Sequence, residues 1–386
     1  MKICFIVDKY PSETFPAANA FVETLVNEMT EKGIQCYVIS PQSCTNALVH
    51  RRKLLPYTRE RTTNSGKSVK VITPKYWSFS GKKIGRFNLS EITLLNFRRA
   101  AERAFKKLQK DISFDVIYGH FIFESGIVAN YLGKKYGIPS FFAYGENTTY
   151  TIDYLGAEKT RKLLENITGV ISVSSENKRV LLSHNLVDAE KIGIFPNSVD
   201  LSRFYIKDKY EMREKLGFPK DGFIIAFTGR LLTVKGPERL SSAIKEIKDE
   251  KLYSFFLGEG PLKPDCENVL FCDVVQHHQI NDYLNAADIF VLPTLAEGCC
   301  NSIVEAMACG LPIVSSALPF NDDILTKDNS IRINPENVDE IKNAIIKLKD
   351  NSDLRYQMSQ AALNTAKKLT IEKRAENIIN FIQKQA

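Results

Sequence analysis

Apolar residues along this chain fall into short continuous runs separated by stretches in which they recur every three or four positions. Lys2 to Val7 is a run of the first kind and predicts a buried strand. After the loop Asp8 to Pro16, Ala18, Phe21, Val22, Leu25, Val26 and Met29 recur at helical spacing until Gly33 stops them. Gln35 to Ser40 reads as a second strand. The alternation returns with strands at Asp115 to Phe121, Pro139 to Tyr144, Gly169 to Ser174 and Ile192 to Pro196, and helices at Ser125 to Tyr136 and Glu176 to Ser183. Alternating strands and helices predict a parallel sheet covered on both faces.

A second cycle follows the polar stretch Asp200 to Asp221. Strands are expected at Phe223 to Thr228, Tyr253 to Leu257, Asn268 to Cys272, Ile289 to Pro293 and Pro312 to Ser316, with helices at Pro237 to Lys248, Ile280 to Ala286 and Ser302 to Cys309. Val338 to Gln385 reads as helix broken near Asn351 and Thr370. The fold class is therefore α/β, with two Rossmann-like doubly wound domains, and such sheets bind ligands at the carboxyl ends of their strands, in a cleft facing both domains.

Composition changes this picture little: 386 residues with 44% hydrophobic and 25% charged positions suit two globular domains and exclude disorder or low-complexity assembly. No apolar run reaches the roughly 18 residues of a membrane span, and Asp8 interrupts the apolar start before a signal-peptide core forms. Eight scattered cysteines without a C-x-x-C pair fit reduced thiols in a cytoplasm. The adjacent Cys299 and Cys300 read as small loop side chains, and no metal site is expected from the cysteines or the five histidines.

Charge changes it more. From Arg51 to Lys110 there are 17 basic and three acidic residues, a local excess of +14 in a chain whose total is +7. A helix expected from about Ser90 to Lys110 carries Ile92, Leu95, Ala101, Phe105 and Leu108 among Arg98, Arg99, Arg103, Lys106, Lys107 and Lys110. With Arg51 to Lys53 and Lys82 to Arg86, it would be drawn to an anionic membrane surface at ~1 kcal/mol per cation. No nucleic-acid partner is expected, because a stacking-aromatic pattern is missing.

The loops after the second-cycle strands hold the chemistry. Gly229-Arg230-Leu231-Leu232-Thr233-Val234-Lys235-Gly236 puts two cations on a glycine-bounded loop entering a helix, the outline of a phosphate site. Gly258-Glu259-Gly260 is a tight turn. Glu297-Gly298-Cys299-Cys300-Asn301-Ser302-Ile303-Val304-Glu305 places one glutamate in a loop and another a turn into the next helix, with Asn301 as the expected N-cap.

The runs GRLLTVKG, FLGEGPL and ADIFVLPTLAEGCCNSIVEAMACGLPIVSS resemble the retaining family 4 (group 1) nucleotide-sugar glycosyltransferases of the GT-B fold, bacterial cell-surface polysaccharide type. KICFIV, DVIYGHF and ISVSSENKRVLL resemble them more loosely. The resemblance implies an acceptor-binding domain over residues 1–200, a donor-binding domain over 201–369, and a last helix, about 370–386, packing back on the first.

It also implies roles. Arg230 and Lys235 would hold the donor diphosphate, which suits leaving-group stabilisation by preplaced cations. Glu305 would accept from the ribose hydroxyls and Glu297 would contact the transferred sugar. Gly229, Gly258, Gly298, Cys299, Cys300, Asn301 and Ser302 would complete the donor site, and Ala18, Asn19, His120, Tyr144, Glu146 and Asn147 the acceptor or sugar side. His120, Glu297, Arg230 and Lys235 are the expected catalytic groups. The expected reaction is hexosyl or N-acetylhexosaminyl transfer from a nucleotide diphosphate sugar, a UDP-sugar, to a hydroxyl of a saccharide or lipid-linked acceptor, by front-face attack. No cofactor or metal is expected, consistent with the lack of a D-x-D motif. The expected location is cytoplasmic, peripheral on the inner face of the membrane.

Departures from the family pattern are plain. Pro16-Ala17-Ala18-Asn19-Ala20 has no glycine where a glycine-rich loop is expected; Tyr144-Gly145-Glu146-Asn147 replaces a His-Gly; Asn197-Ser198-Val199-Asp200 has serine for glycine; Phe320-Asn321-Asp322-Asp323 keeps the acid without the glycines. Two other classes stay open: a GT-B sugar-nucleotide epimerase, which fits the glutamate loop and Arg/Lys pair poorly, and a non-catalytic sugar-nucleotide-binding protein, expected to have lost Lys235 or Glu305.

Overall fold

The computed structural model describes residues 1–13, 18–79, 83–84 and 87–386, with backbone alone at 83–84 and 87–88. Pro16, Ala17, Lys82 and Arg86, which entered the reading above, lie outside the described residues. The chain divides into two compact units: Met1–Val173 with Asn177–Phe195 and Ala375–Ala386, and Ser174–Glu176 with Pro196–Arg374.

The first unit is built on an eight-stranded sheet. From edge to edge its strands are Ile192–Ile194, Gly169–Ser172, Ser140–Tyr144, Val116–His120, Lys2–Ile6, Gln35–Ile39, Ser68–Ile72 and Thr58–Thr62. All pairs are parallel except the last, where Thr58–Thr62 runs antiparallel to Ser68–Ile72. Ile3, Phe5, Ile117, Tyr118, Phe141 and Phe142 are all fully buried, as a sheet covered on both faces requires. The strand order reverses on either side of Lys2–Ile6. The loops after it and after Val116–His120 therefore diverge, opening a crevice at their carboxyl ends.

The helix Leu89–Gln109 revises the membrane expectation. Ala101, Phe105 and Leu108 are buried in a core with Cys4, Ile6, Ile39, Ile117 and Val128. The apolar stripe that resembled a membrane face is the one that packs on the sheet. Arg99, Arg103, Lys106, Lys107 and Lys110 stay exposed on the other side, and Ile92 is exposed near the start.

The second unit has six parallel strands in the order Val269–Asp273, Leu252–Leu257, Phe223–Thr228, Ile289–Leu292, Ile313–Ser316, Ser330–Ile333. Numbered along the chain this is 3-2-1-4-5-6, the doubly wound dinucleotide-binding order, with its switch point between Phe223–Thr228 and Ile289–Leu292. The tail forms three helices, Val338–Asp350, Ser352–Ala366 and Ile371–Gln385. In the first unit, Phe381 of the last helix meets Phe195 at 5.3 Å and Gln385 Nε2 donates to the Glu190 carbonyl.

Candidate functional site

The second unit's switch point collects the predicted donor residues. The chain leaves Thr228 into Gly229 and Arg230, and leaves Leu292 into Thr294 and Glu297. The Lys235 ammonium forms an ion pair with Glu297 Oε1. The Thr294 hydroxyl, fully buried, reaches both the Val234 carbonyl (3.1 Å) and Glu297 Oε1 (3.2 Å), and Leu295 N–H donates to Val234 O at 2.7 Å. The two loops are thus stitched together beside the charges. Burial pulls the Lys235 ammonium down and Arg230 acts with it, but the paired Glu297 carboxylate holds it above its ordinary value. Arg230 is exposed.

The turn Gly258-Glu259-Gly260 has a packing reason. A Cβ at Gly258 would lie 2.0 Å from Gly229 O, and one at Gly260 2.3 Å from Leu231 O. Leu231 N–H donates to Glu259 O at 2.8 Å and Gly229 N–H to Leu257 O at 3.0 Å. This turn presses on the Arg230 loop backbone to backbone and fixes its course. Below Lys235, Arg239 donates to Thr233 O (2.9 Å) and Pro293 O (2.8 Å), tying both loops to the helix Pro237–Ile247.

The helix Asn301–Ala308 begins one residue earlier than expected. Cys300, in extended conformation, holds the N-cap position, and Asn301 is already helical, so the expected Asn301 cap is not made; no side-chain hydrogen bond caps this helix. An uncapped N-terminus leaves its first N–H groups and the positive end of its dipole for an anion. Burial pushes the Cys299 and Cys300 thiols up to about 12, which keeps them protonated and unreactive at neutral pH. Cys299 instead holds the chain: Asn197 N–H donates to its sulfur (3.3 Å) and Asn197 Nδ2 to its carbonyl (2.8 Å).

Glu305 sits one helical turn on. Its Oε1 lies 3.5 Å from His277 Nε2, and the Arg203 guanidinium lies 2.7 Å from His277 Nδ1. Arginine can only donate, so Nδ1 accepts, the proton sits on Nε2, and it points to Glu305. Neither His277 nor Arg203 carried a motif; their relation to Glu305 is made only by folding.

In the first unit, His120 closes the Val116–His120 strand, 5% exposed, with its ring 5.2 Å from Phe21 and 4.7 Å from Phe121. The next turn is contorted: Phe121 has φ 70° and Glu124 φ 57°. The missing glycine of the first loop is replaced by conformation, because Asn19 takes the left-handed region with φ 51° and its amide donates to Asp8 Oδ1 (3.0 Å) and Lys9 O (3.1 Å). Ala18 lies just before the helix Ala20–Glu31, outside its first turn. Burial pushes the Glu124 carboxyl up to about 8, reinforced by Asp8, and raises Asp8 as well. Glu146 Oε1 accepts from Ile122 N–H at 2.9 Å and supports this turn; burial raises its carboxyl. Asn147 is exposed. Tyr144, expected on the acceptor or sugar side, is 1% exposed and packs with Phe142, Ile152 and Leu164.

Two Rossmann-like sheets, with cations and an uncapped helix at the second one's switch point, fit the GT-B glycosyltransferase class, which the comparisons show. The chain belongs to the family 4, group 1 glycosyltransferases: it matches the model "Glycosyltransferase Family 4" over residues 18–203 and "Glycosyl transferases group 1" over 208–365. It is 29% identical to a Bacillus subtilis protein named as a teichuronic acid biosynthesis glycosyltransferase, TuaC, over 95% of this chain and 96% of that one. It is 26% identical to an Escherichia coli UDP-Gal:alpha-D-GlcNAc-diphosphoundecaprenol alpha-1,3-galactosyltransferase, over 74% and 79% of the two chains. Anabaena HepE in complex with UDP shares the fold over both whole chains (TM-score 0.73, 14% identity), as does sucrose-phosphate synthase from Thermosynechococcus elongatus (TM-score 0.77, 19% identity, 99% and 98% covered).

Proposed function

We propose that the protein is a retaining glycosyltransferase that moves a sugar from a UDP-sugar to a hydroxyl of a lipid-linked or saccharide acceptor in bacterial surface polysaccharide synthesis. The observation that carries this reading is the Lys235–Glu297 pair at the switch point, beside Arg230 and the uncapped helix Asn301–Ala308. Lys235 and Arg230 hold the diphosphate, and their charge stabilises the negative charge that grows on the bridging oxygen as the C1–O bond breaks. The helix N-terminus, from Gly298 to Ser302, donates N–H groups to phosphate and sugar. Glu297 takes a sugar hydroxyl and Glu305, steadied by His277, the ribose. The acceptor oxygen bonds to C1 on the face the diphosphate leaves, and its proton passes to a diphosphate oxygen. No metal or cofactor enters this scheme. His120 and the Asn19 and Glu146 loops contact the sugar and acceptor.

Relatives support the finer assignments: the structural neighbour HepE holds UDP, and the E. coli relative is named for a UDP-Gal donor and a diphosphoundecaprenol acceptor. A lipid-linked acceptor calls for work at a membrane. No helix among the described residues is long and apolar enough to cross one. Attachment is peripheral, through the exposed cations of Leu89–Gln109 and Arg51 to Lys53. Proton NMR of the product tests the central reaction: an α-configured product from an α-linked UDP-sugar is expected, and a β-configured one rules out retention.

A further inference from the structure

A groove lies on the helical face of the first unit, apart from the loops described above. The helix Ile127–Tyr136 is pressed onto the sheet: a Cβ at Gly133 would lie 2.7 Å from the Ser140 side chain. Its neighbours, Leu89–Gln109 and Ala157–Leu164, are bridged by an ion pair of 2.6 Å between Glu91 and Lys159. Between them is a cavity of about 310 Å³.

Its walls are apolar, from Leu94, Leu95, Ile127, Leu155 and Leu163, and its rim carries Arg98, Lys134, Lys159 and Lys162 against the single acid Glu91. The Arg98 guanidinium carbon lies over the Tyr131 ring, 4.4 Å from its centroid, and a cation held on a ring face keeps N–H donors for a phosphate. The pairs Lys162–Glu158 and Lys134–Glu165 are exposed, so an incoming anion displaces partners worth only ~0–1 kcal/mol each. Asn130, 4% exposed, spends its amide N–H on Leu163 O and leaves its own oxygen without a hydrogen-bond partner under the floor.

We propose that this groove binds the phosphodiester headgroup of an anionic glycerophospholipid, with the phosphate on the cationic rim and the first carbons of the chains against the leucines. The volume is at the lower end for small-ligand sites. It holds a headgroup while the tails stay in the bilayer. The inference rests on the peripheral-membrane reading only for the source of the lipid.

The test titrates the full chain with dihexanoylphosphatidylglycerol below its micelle concentration, with glycerol phosphate as the tail-less control and donor hydrolysis measured alongside. Arg98→Glu removes rim charge, Leu95→Trp fills the groove with every charge kept, and Lys106→Glu with Lys107→Glu reverses charge outside it. Saturable binding is expected, weaker by about tenfold, or ~1.4 kcal/mol, in each groove variant and for glycerol phosphate, and unchanged in the outer pair. No binding by the native chain, native affinity in folded Leu95→Trp, or equal loss in the outer pair would overturn the groove. Donor hydrolysis is expected to persist in all variants, so loss of the glycosyltransferase reading would show separately.

Discussion

Lys235 and Glu297 lie 62 residues apart in sequence and form an ion pair whose two side chains are only 14% and 10% exposed. Such a pair holds the cation charged and in place while the site is empty. In the proposed reaction, the donor diphosphate brings the negative charge that Lys235 otherwise finds in Glu297.

Two substitutions separate the partners. Lys235→Ala is expected to reduce turnover by roughly 10² to 10³, the order found when one preorganised charge stabiliser is removed. Steady-state kinetics on a variant with native circular dichroism decides it, and unchanged turnover removes Lys235 from the diphosphate site.

Glu297→Gln leaves Lys235 without its counter-charge and removes a carboxylate that repels phosphate. UDP alone should bind more tightly, by up to about tenfold or ~1.4 kcal/mol, while sugar transfer falls. Calorimetry with UDP and an assay with the UDP-sugar read the two effects apart; weaker UDP binding would contradict the pairing argument.

Gly258→Ala tests the backbone contact beneath the Arg230 loop. A methyl group 2.0 Å from Gly229 O forces the two loops apart. The expected cost is about 1–3 kcal/mol of stability, with donor KM raised more than kcat is lowered. A variant with native melting temperature and native KM would show that the loops have slack.

Glu124 gives a pH dependence with a definite sign. Folding raises its carboxyl from 4.5 to about 8, so the native state keeps a proton that the unfolded chain has released. Its contribution to stability is whole below about pH 4.5 and is lost as pH rises to about 8. Asp8, raised in the same direction, adds to the slope. Glu124→Gln should flatten the fall in melting temperature between pH 5 and 8, and an unchanged profile would dissociate the turn from this titration.

Much of this architecture was legible because the apolar code is strong where strands are buried on both faces. Phe223–Thr228 and Ile280–Ala286 fall where the periodicity places them. Thr58–Thr62 was not legible: an antiparallel edge strand of sequence TRERT alternates half-buried and exposed residues and carries no apolar signal. The helix Leu89–Gln109 was legible as a helix, but which side faces the core depends on a sheet made from distant segments. In the site, Arg230, Lys235, Glu297 and Glu305 stand in runs whose spacing announces them. Asn197, Arg203 and His277 do not, because each acts on a residue brought to it only by the fold.

The measurement that tests the account most directly is a metal-free thermal-shift titration of the native chain and Lys235→Ala with UDP-, GDP-, ADP- and CMP-sugars. A ligand at 100 times its dissociation constant stabilises a fold by ~2.7 kcal/mol. Stabilisation of the native chain by UDP-sugars, sharply reduced in Lys235→Ala, is the predicted result. A folded native chain that no nucleotide sugar stabilises, or equal stabilisation of both proteins, would contradict the donor site built around Lys235.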